Sequence, residues 1–65
     1  MWVAVNKNGE EWAFYDEPAR RNDWHTWVGD YCDTGVIMPT GTIELLLGRK
    51  LTWEDYPVEI TKLNN

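Results

Sequence analysis

Asn8-Gly9 lies between two short stretches rich in apolar residues, Trp2–Asn6 and Glu10–Tyr15. That arrangement calls for a β-hairpin. A two-residue type I′ turn needs φ > 0 at both central positions, and Asn-Gly is the strongest short-range signal for it. With Asn8-Gly9 at those positions, Lys7 faces Glu10, Val5 faces Trp12, Val3 faces Phe14 and Trp2 faces Tyr15. Val3, Val5, Trp12 and Phe14 then make one wholly apolar face. Trp2, Ala4, Asn6, Glu11, Ala13 and Tyr15 make a mixed one. A slip of one residue would scramble both sets.

The remaining elements follow from turn and capping chemistry. Asp16–Asp23 is polar, contains Pro18 and reads as a loop, with room for one helical turn. Trp24–Val28 reads as a third strand paired with the hairpin, and Gly29–Gly35 as a connection. Val36-Ile37-Met38 is a short strand stopped by Pro39. Thr40–Leu47 is the one helix, with Thr40 as N-cap and Gly48 as the left-handed residue that ends it. Ile43, Leu46 and Leu47 share a stripe that should face the sheet, while Leu45 points away. Thr52-Trp53-Glu54-Asp55 has capping-box form and is able to open a single helical turn. Pro57 favours extended backbone at Tyr56, and Val58–Ile60 reads as the last strand. The expected fold is therefore α+β. A small, mainly antiparallel sheet, built from the N-terminal hairpin plus two or three short strands, carries one short helix on one face. Residues 1–61 form a single domain, and 62–65 a polar tail.

A chain of 65 residues buries only about 60% of the surface its unfolded form exposes, so its stability should be a few kcal/mol. Cys32 is the sole cysteine, so no disulfide within the chain can add to that. The lone cysteine, the lack of an N-glycosylation triplet and the lack of an apolar leader after Met1 point to a reducing, cytoplasmic setting. Leu45-Leu46-Leu47, the longest aliphatic run, is far too short to span a membrane.

The net charge is −5, and the six Lys and Arg residues are scattered. Phosphate backbones select clustered basic residues, so nucleic-acid binding is not expected. Mimicry of nucleic acid would want long acidic runs. Here the acidic pairs Glu10-Glu11, Asp16-Glu17 and Glu54-Asp55 are separated by apolar positions, which suits an ordinary solvated surface.

The run Pro39-Thr40-Gly41-Thr42-Ile43-Glu44-Leu45-Leu46-Leu47-Gly48-Arg49-Lys50-Leu51-Thr52-Trp53-Glu54-Asp55-Tyr56-Pro57-Val58-Glu59-Ile60 resembles the C-terminal half of short uncharacterised proteins of gut bacteria and their phages or prophages. The N-terminal half resembles the same group at Trp2-Val3-Ala4, Gly9, Phe14 and Pro18-Ala19-Arg20. The segment from Asp23 to Gly35 is least alike. This resemblance implies a bacterial or mobile-element context and brings no activity or site residues with it.

Catalysis is hard to build from these residues. The chain has no serine, and His25 and Cys32 are its only histidine and cysteine. A thiolate–imidazole pair would require those two in contact. Asp23, His25, Asp30, Cys32 and Asp33 match neither the ligand types of structural zinc nor the patterned oxygen donors of calcium. No phosphate-binding glycine loop is present. No cofactor, metal or small-molecule substrate is expected, and the chain reads as no enzyme.

The aromatic residues remain. Five Trp, three Tyr and one Phe are more than so thin a domain readily hides, since each buries about 150–250 Å². Trp2 and Tyr15, joined by Trp24 or Trp27 and by Leu45 on the helix, are the candidate partner-binding residues. The competing reading places the aromatics in a second small core under the Asp16–Asp23 loop, or in cross-strand pairs. The first functional expectation is a small, non-catalytic protein-interaction module with a protein partner or as a homodimer. The alternative is an acidic inhibitor or mimic that blocks a basic partner.

Overall fold

The hairpin forms, but its turn is not the two-residue one. Strands β1 (Trp2–Val5) and β2 (Glu11–Phe14) are antiparallel, with Trp2 opposite Phe14, Val3 opposite Ala13, Ala4 opposite Trp12 and Val5 opposite Glu11. Every pair is one residue away from the type I′ register. The Gly9 N–H donates to Asn6 C=O, the Asn6 N–H donates to Glu10 C=O, both at 2.9 Å, and Gly9 alone takes positive φ, at 93°. This is a three-residue loop, a type I turn at Lys7-Asn8 followed by a glycine bulge. The Asn8 side chain accepts the Glu10 N–H at 3.0 Å, which holds Asn8 out of the left-handed region.

The slip regroups the side chains. Val3, Val5, Glu11 and Ala13 now share one face, and Trp2, Ala4, Trp12 and Phe14 the other. Neither face is left bare.

The computed structural model describes residues 1–61, and the polar tail expected at 62–65 lies outside the described residues. Five further elements follow: β3 (Ala19–Arg21), β4 (Thr26–Val28), β5 (Val36–Met38), α1 (Thr42–Leu47) and β6 (Val58–Glu59). The main sheet has the order β5-β2-β1-β6, and every pairing in it is antiparallel. The α+β architecture read from the sequence is the one found. Strands β3 and β4 form a separate two-stranded ribbon. The segment Asp16–Asp23 is thus partly a strand, not a loop, and Thr26–Val28 pairs with it rather than with the first hairpin. A Pro-containing polar stretch carries no strand signal of its own. It becomes one because β4 offers it a ladder and the sheet offers the ribbon a surface.

On one face, Val3 and Val5 pack with Ile43 and Leu51, flanked by Ala13, Met38, Leu47, Val58 and Ile60. On the other, Ala4, Phe14 and Trp27 are buried, with Trp2, Trp12 and Trp53 against them. The ribbon is pinned over this second core through three groups of the first hairpin. The Trp27 N–H donates to Asn6 Oδ1 at 2.8 Å, the Trp27 indole Nε1 donates to Val5 C=O at 2.9 Å, and the Lys7 N–H donates to His25 C=O at 3.1 Å. Asn6 is buried, and the first of these bonds gives its side-chain oxygen a partner.

Helix α1 starts two residues later than its sequence indicates, and Thr40 does not cap it. Gly41 is the N-cap residue, with φ 97°, and it has no side chain to offer. Glu11 reaches over from β2 instead. Its two carboxylate oxygens accept the N–H groups of Gly41 and Ile43, each at 2.8 Å. A carboxylate there also meets the positive end of the helix dipole. Gly48 ends the helix as expected, in the left-handed region, with its N–H on Glu44 C=O. Ile43 is 1% exposed and Leu45 88%, but Leu46, expected in the buried stripe, is 38% exposed. Six residues make less than two turns, so the sheet can cover only the Ile43–Leu47 line. At Thr52–Asp55 the Asp55 carboxylate accepts the Thr52 N–H at 2.8 Å, as in a capping box, but the chain makes only a turn.

Because Glu11 serves as a cap supplied from another element, Glu11→Ala should cost about 1–3 kcal/mol and loosen α1 first. Amide exchange should accelerate at Gly41–Ile43 before it changes in β1. Uniform acceleration across the sheet would show that Glu11 does something other than cap.

Candidate functional site

Strand β5 is three residues long and forms one edge of the main sheet. Its partners on β2 are Glu11 for Met38, Trp12 for Ile37 and Ala13 for Val36. The turn bond from Asn6 to Glu10 fixes which β2 groups face β1, because hydrogen-bonded and non-bonded pairs alternate along an antiparallel ladder. Glu10, Trp12 and Phe14 turn toward β1, so Glu11 and Ala13 turn toward β5. Val36 and Met38 therefore hold β5 to the sheet, and the N–H and C=O of Ile37 face outward.

Side chains at this edge are apolar and open. Val36 is 66% exposed and Ile37 51%. They lie on opposite faces of the sheet, Val36 with Ala13 and Ile37 with Trp12. The whole run Thr34–Ile43 carries no charged residue. Exposed edges are commonly blunted by charge, by proline or by brevity. Pro39 and brevity are used here; charge is not.

A shallow groove of about 350 Å³ continues from Val36 past Gly35, Thr34 and Cys32 to Phe14 and Tyr15. Its floor follows from two close approaches. Gly35 has φ 75°, and a Cβ there would fall on the Phe14 ring. A Cβ on Gly29 would strike the carbonyl of Asp33. The buried Asp33 ties the connection together, its N–H donating to Asp30 C=O at 2.9 Å and its carboxylate accepting the Asp16 N–H at 3.0 Å. Asp33 is the acidic residue of the lining, bonded to the backbone of Asp16 and Asp30. Among the described residues no Lys or Arg lines the groove, and Met1, which carries the N-terminal ammonium, does.

The residues singled out from sequence are scattered. Trp2 is half-buried against the second core, and Trp27 is buried within it. Tyr15 is exposed beyond the end of β2 and lines the groove. Trp2 and Tyr15 do not share an open face: Trp2 stands opposite Phe14, under the ribbon, and Tyr15 is the residue after it. Trp24 is exposed at the β3–β4 turn, with the Arg21 guanidinium 4.0 Å from its ring centroid. Arg21 also donates to both Asp23 carboxylate oxygens, at 3.0 and 2.7 Å. That hydrogen bonding, reinforced by the charge of Arg21, holds the Asp23 carboxyl below the usual carboxylate range. The small contribution of this solvent-open pair is present at neutral pH and fades as acid protonates Asp23. Leu45 projects from α1 into solvent.

Sequence reading missed two features. One is the β5 edge, for which the uncharged run Thr34–Ile43 was an available signal. The other is Arg20, whose guanidinium lies 4.7 Å from the ring centroids of both Trp27 and Trp53 and donates to Trp53 C=O at 2.6 Å. It joins the ribbon to the segment after α1. Nothing local in Ala19-Arg20-Arg21 distinguishes it.

His25 meets the turn end of the first hairpin through Lys7, whereas Cys32 lines the groove with Tyr15 at the open end. The thiol and the imidazole do not form a pair. Among the described residues, no three His, Cys, Asp or Glu side chains are grouped so as to hold a metal ion. No described helix is long and apolar enough to cross a membrane. Comparison with protein-family models, curated proteins and solved structures finds no match to this chain.

Proposed function

We propose that this chain is a small, non-catalytic protein-interaction module of bacterial or phage origin that engages its partner along the open edge of β5. One observation carries the reading: an uncharged edge strand with Val36 and Ile37 exposed and the Ile37 backbone groups unpaired by the sheet. Both faces of the sheet are covered by the chain's own aromatics and aliphatics. Tyr15, Trp24, Tyr31, Leu45 and Tyr56 are exposed as well, but Val36 and Ile37 are the exposed apolar side chains that sit on an open strand edge. The separation of His25 from Cys32 and the absence of serine support a non-catalytic role. An acidic blocking protein is the second reading, supported by the absence of Lys and Arg from Asn22 to Gly48.

The test compares wild type with Ile37→Lys, which puts a charge on the edge while leaving both cores alone. The melting temperature should stay within about 8 °C, the shift expected from about 1 kcal/mol or less in a domain of this size. A partner recovered from a lysate of the source organism with wild type should be lost with the variant. Equal recovery by both proteins would remove β5 from the function.

A further inference from the structure

We propose that the partner presents an extended segment that adds to β5 as a fifth strand of the main sheet, apolar opposite Val36 and Ile37 and bearing Lys or Arg where it passes the groove. The proposal rests on the interaction-module reading and adds to it the chemistry of the partner. The backbone sets the mode. Ile37 offers one N–H and one C=O outward, which suit the main chain of a strand and bring little specificity by themselves. Side chains set the register. A strand beside β5 places alternate residues over Val36 on one face and Ile37 on the other, both largely exposed.

Charge sets the flank. Beyond Val36 the segment passes the groove, whose acidic lining residue is Asp33, with Asp16 and Asp30 bonded to it through their backbones and Glu17 next in sequence. Met1 also lines the groove, and its ammonium is the one cation the segment meets there among the described residues. Every charged residue from Asp23 to Glu44 is acidic, and Asp23 is already paired with Arg21. A second copy of this chain fits less well, because each brings the same acidic rim and a net charge of −5. The opposite edge, β6, is a two-residue strand that carries Glu59. Three paired residues give a weak, salt-sensitive complex rather than a permanent one.

The probes are two capped heptapeptides, Lys-Val-Thr-Val-Thr-Val-Lys and Glu-Val-Thr-Val-Thr-Val-Glu, titrated into the ¹⁵N-labelled full chain. Expected are amide shifts confined to 30–38 and at least fivefold tighter binding of the lysine peptide at low salt. That advantage should shrink severalfold at 0.5 M salt. Ile37→Pro removes the outward N–H and should abolish the shifts. Should that variant fail to fold, Val36→Lys, expected to weaken the lysine peptide at least fivefold, replaces it. Equal binding of both peptides, or shifts elsewhere, overturns the partner chemistry while the interaction module stands. Concentration-dependent dimerisation that protects the Ile37 amide overturns it in favour of a second copy. No shift at millimolar peptide from a monomer overturns the strand-addition mode and the β5 reading together.

Discussion

Trp27→Ala should remove about 3–5 kcal/mol of stability, the range for truncating a buried aromatic. A chain of 65 residues has about 3–10 kcal/mol in total, so the variant should be largely unfolded or close to it. Trp27 is 6% exposed and enters almost every contact that holds the ribbon to the sheet. Its ring packs with Ala4 and Phe14 and meets Trp53 edge-on at 5.7 Å, and the Arg20 guanidinium lies over it. Its backbone N–H and indole N–H bind Asn6 and Val5. Trp27→Phe keeps a ring but orphans the Val5 carbonyl, and should cost about 1–3 kcal/mol. Trp24→Ala, at an exposed turn, should cost under about 1 kcal/mol. Urea denaturation followed by far-ultraviolet circular dichroism separates the three. Similar losses for Trp24→Ala and Trp27→Ala would mean that the ribbon does not depend on this residue.

Ile43→Ala is expected to cost about 2–5 kcal/mol, because the side chain is fully enclosed between Val3, Val5 and Leu51. Leu45→Ala should fall within about 0.5 kcal/mol of wild type, and Leu46→Ala between the two. The order matters more than the values. Helical periodicity alone gives Leu46 the same weight as Ile43; the fold does not. Thermal melts of the three variants decide it, and a Leu46→Ala loss as large as that of Ile43→Ala would mean the helix is rotated from the position described.

Local chemistry made several elements legible. Asn8-Gly9 announces a hairpin, Pro39 ends β5, Gly48 ends α1, and Val58 resumes extended structure after Pro57. Each depends on a backbone preference that one or two residues carry by themselves. The register of the hairpin was not legible, although its existence was. Asn-Gly suits a type I′ turn and also the last two positions of a type I turn with a glycine bulge. The type I′ register collects Val3, Val5, Trp12 and Phe14 on one face, which is best for a sheet with one covered side. The observed register divides them, which is best for a sheet covered on both.

Which of those applies depends on the β3–β4 ribbon. It forms from a stretch with little strand character because Trp27 can dock on the hairpin and Arg20 can close over Trp27 and Trp53. The candidate site inherits the same division. Sequence supplied the aromatic excess and the acidic balance, and Tyr15 and the uncharged run before α1 are part of them. Whether a given Trp is surface or core depends on contacts between residues far apart in the chain. By itself the sequence determined where the first hairpin turns and where β5 and the helix stop, since those are one-residue backbone costs. Only the tertiary structure decided which faces are covered, which edge stays open and which carboxylate caps the helix, since each of these is a contact that no local window contains.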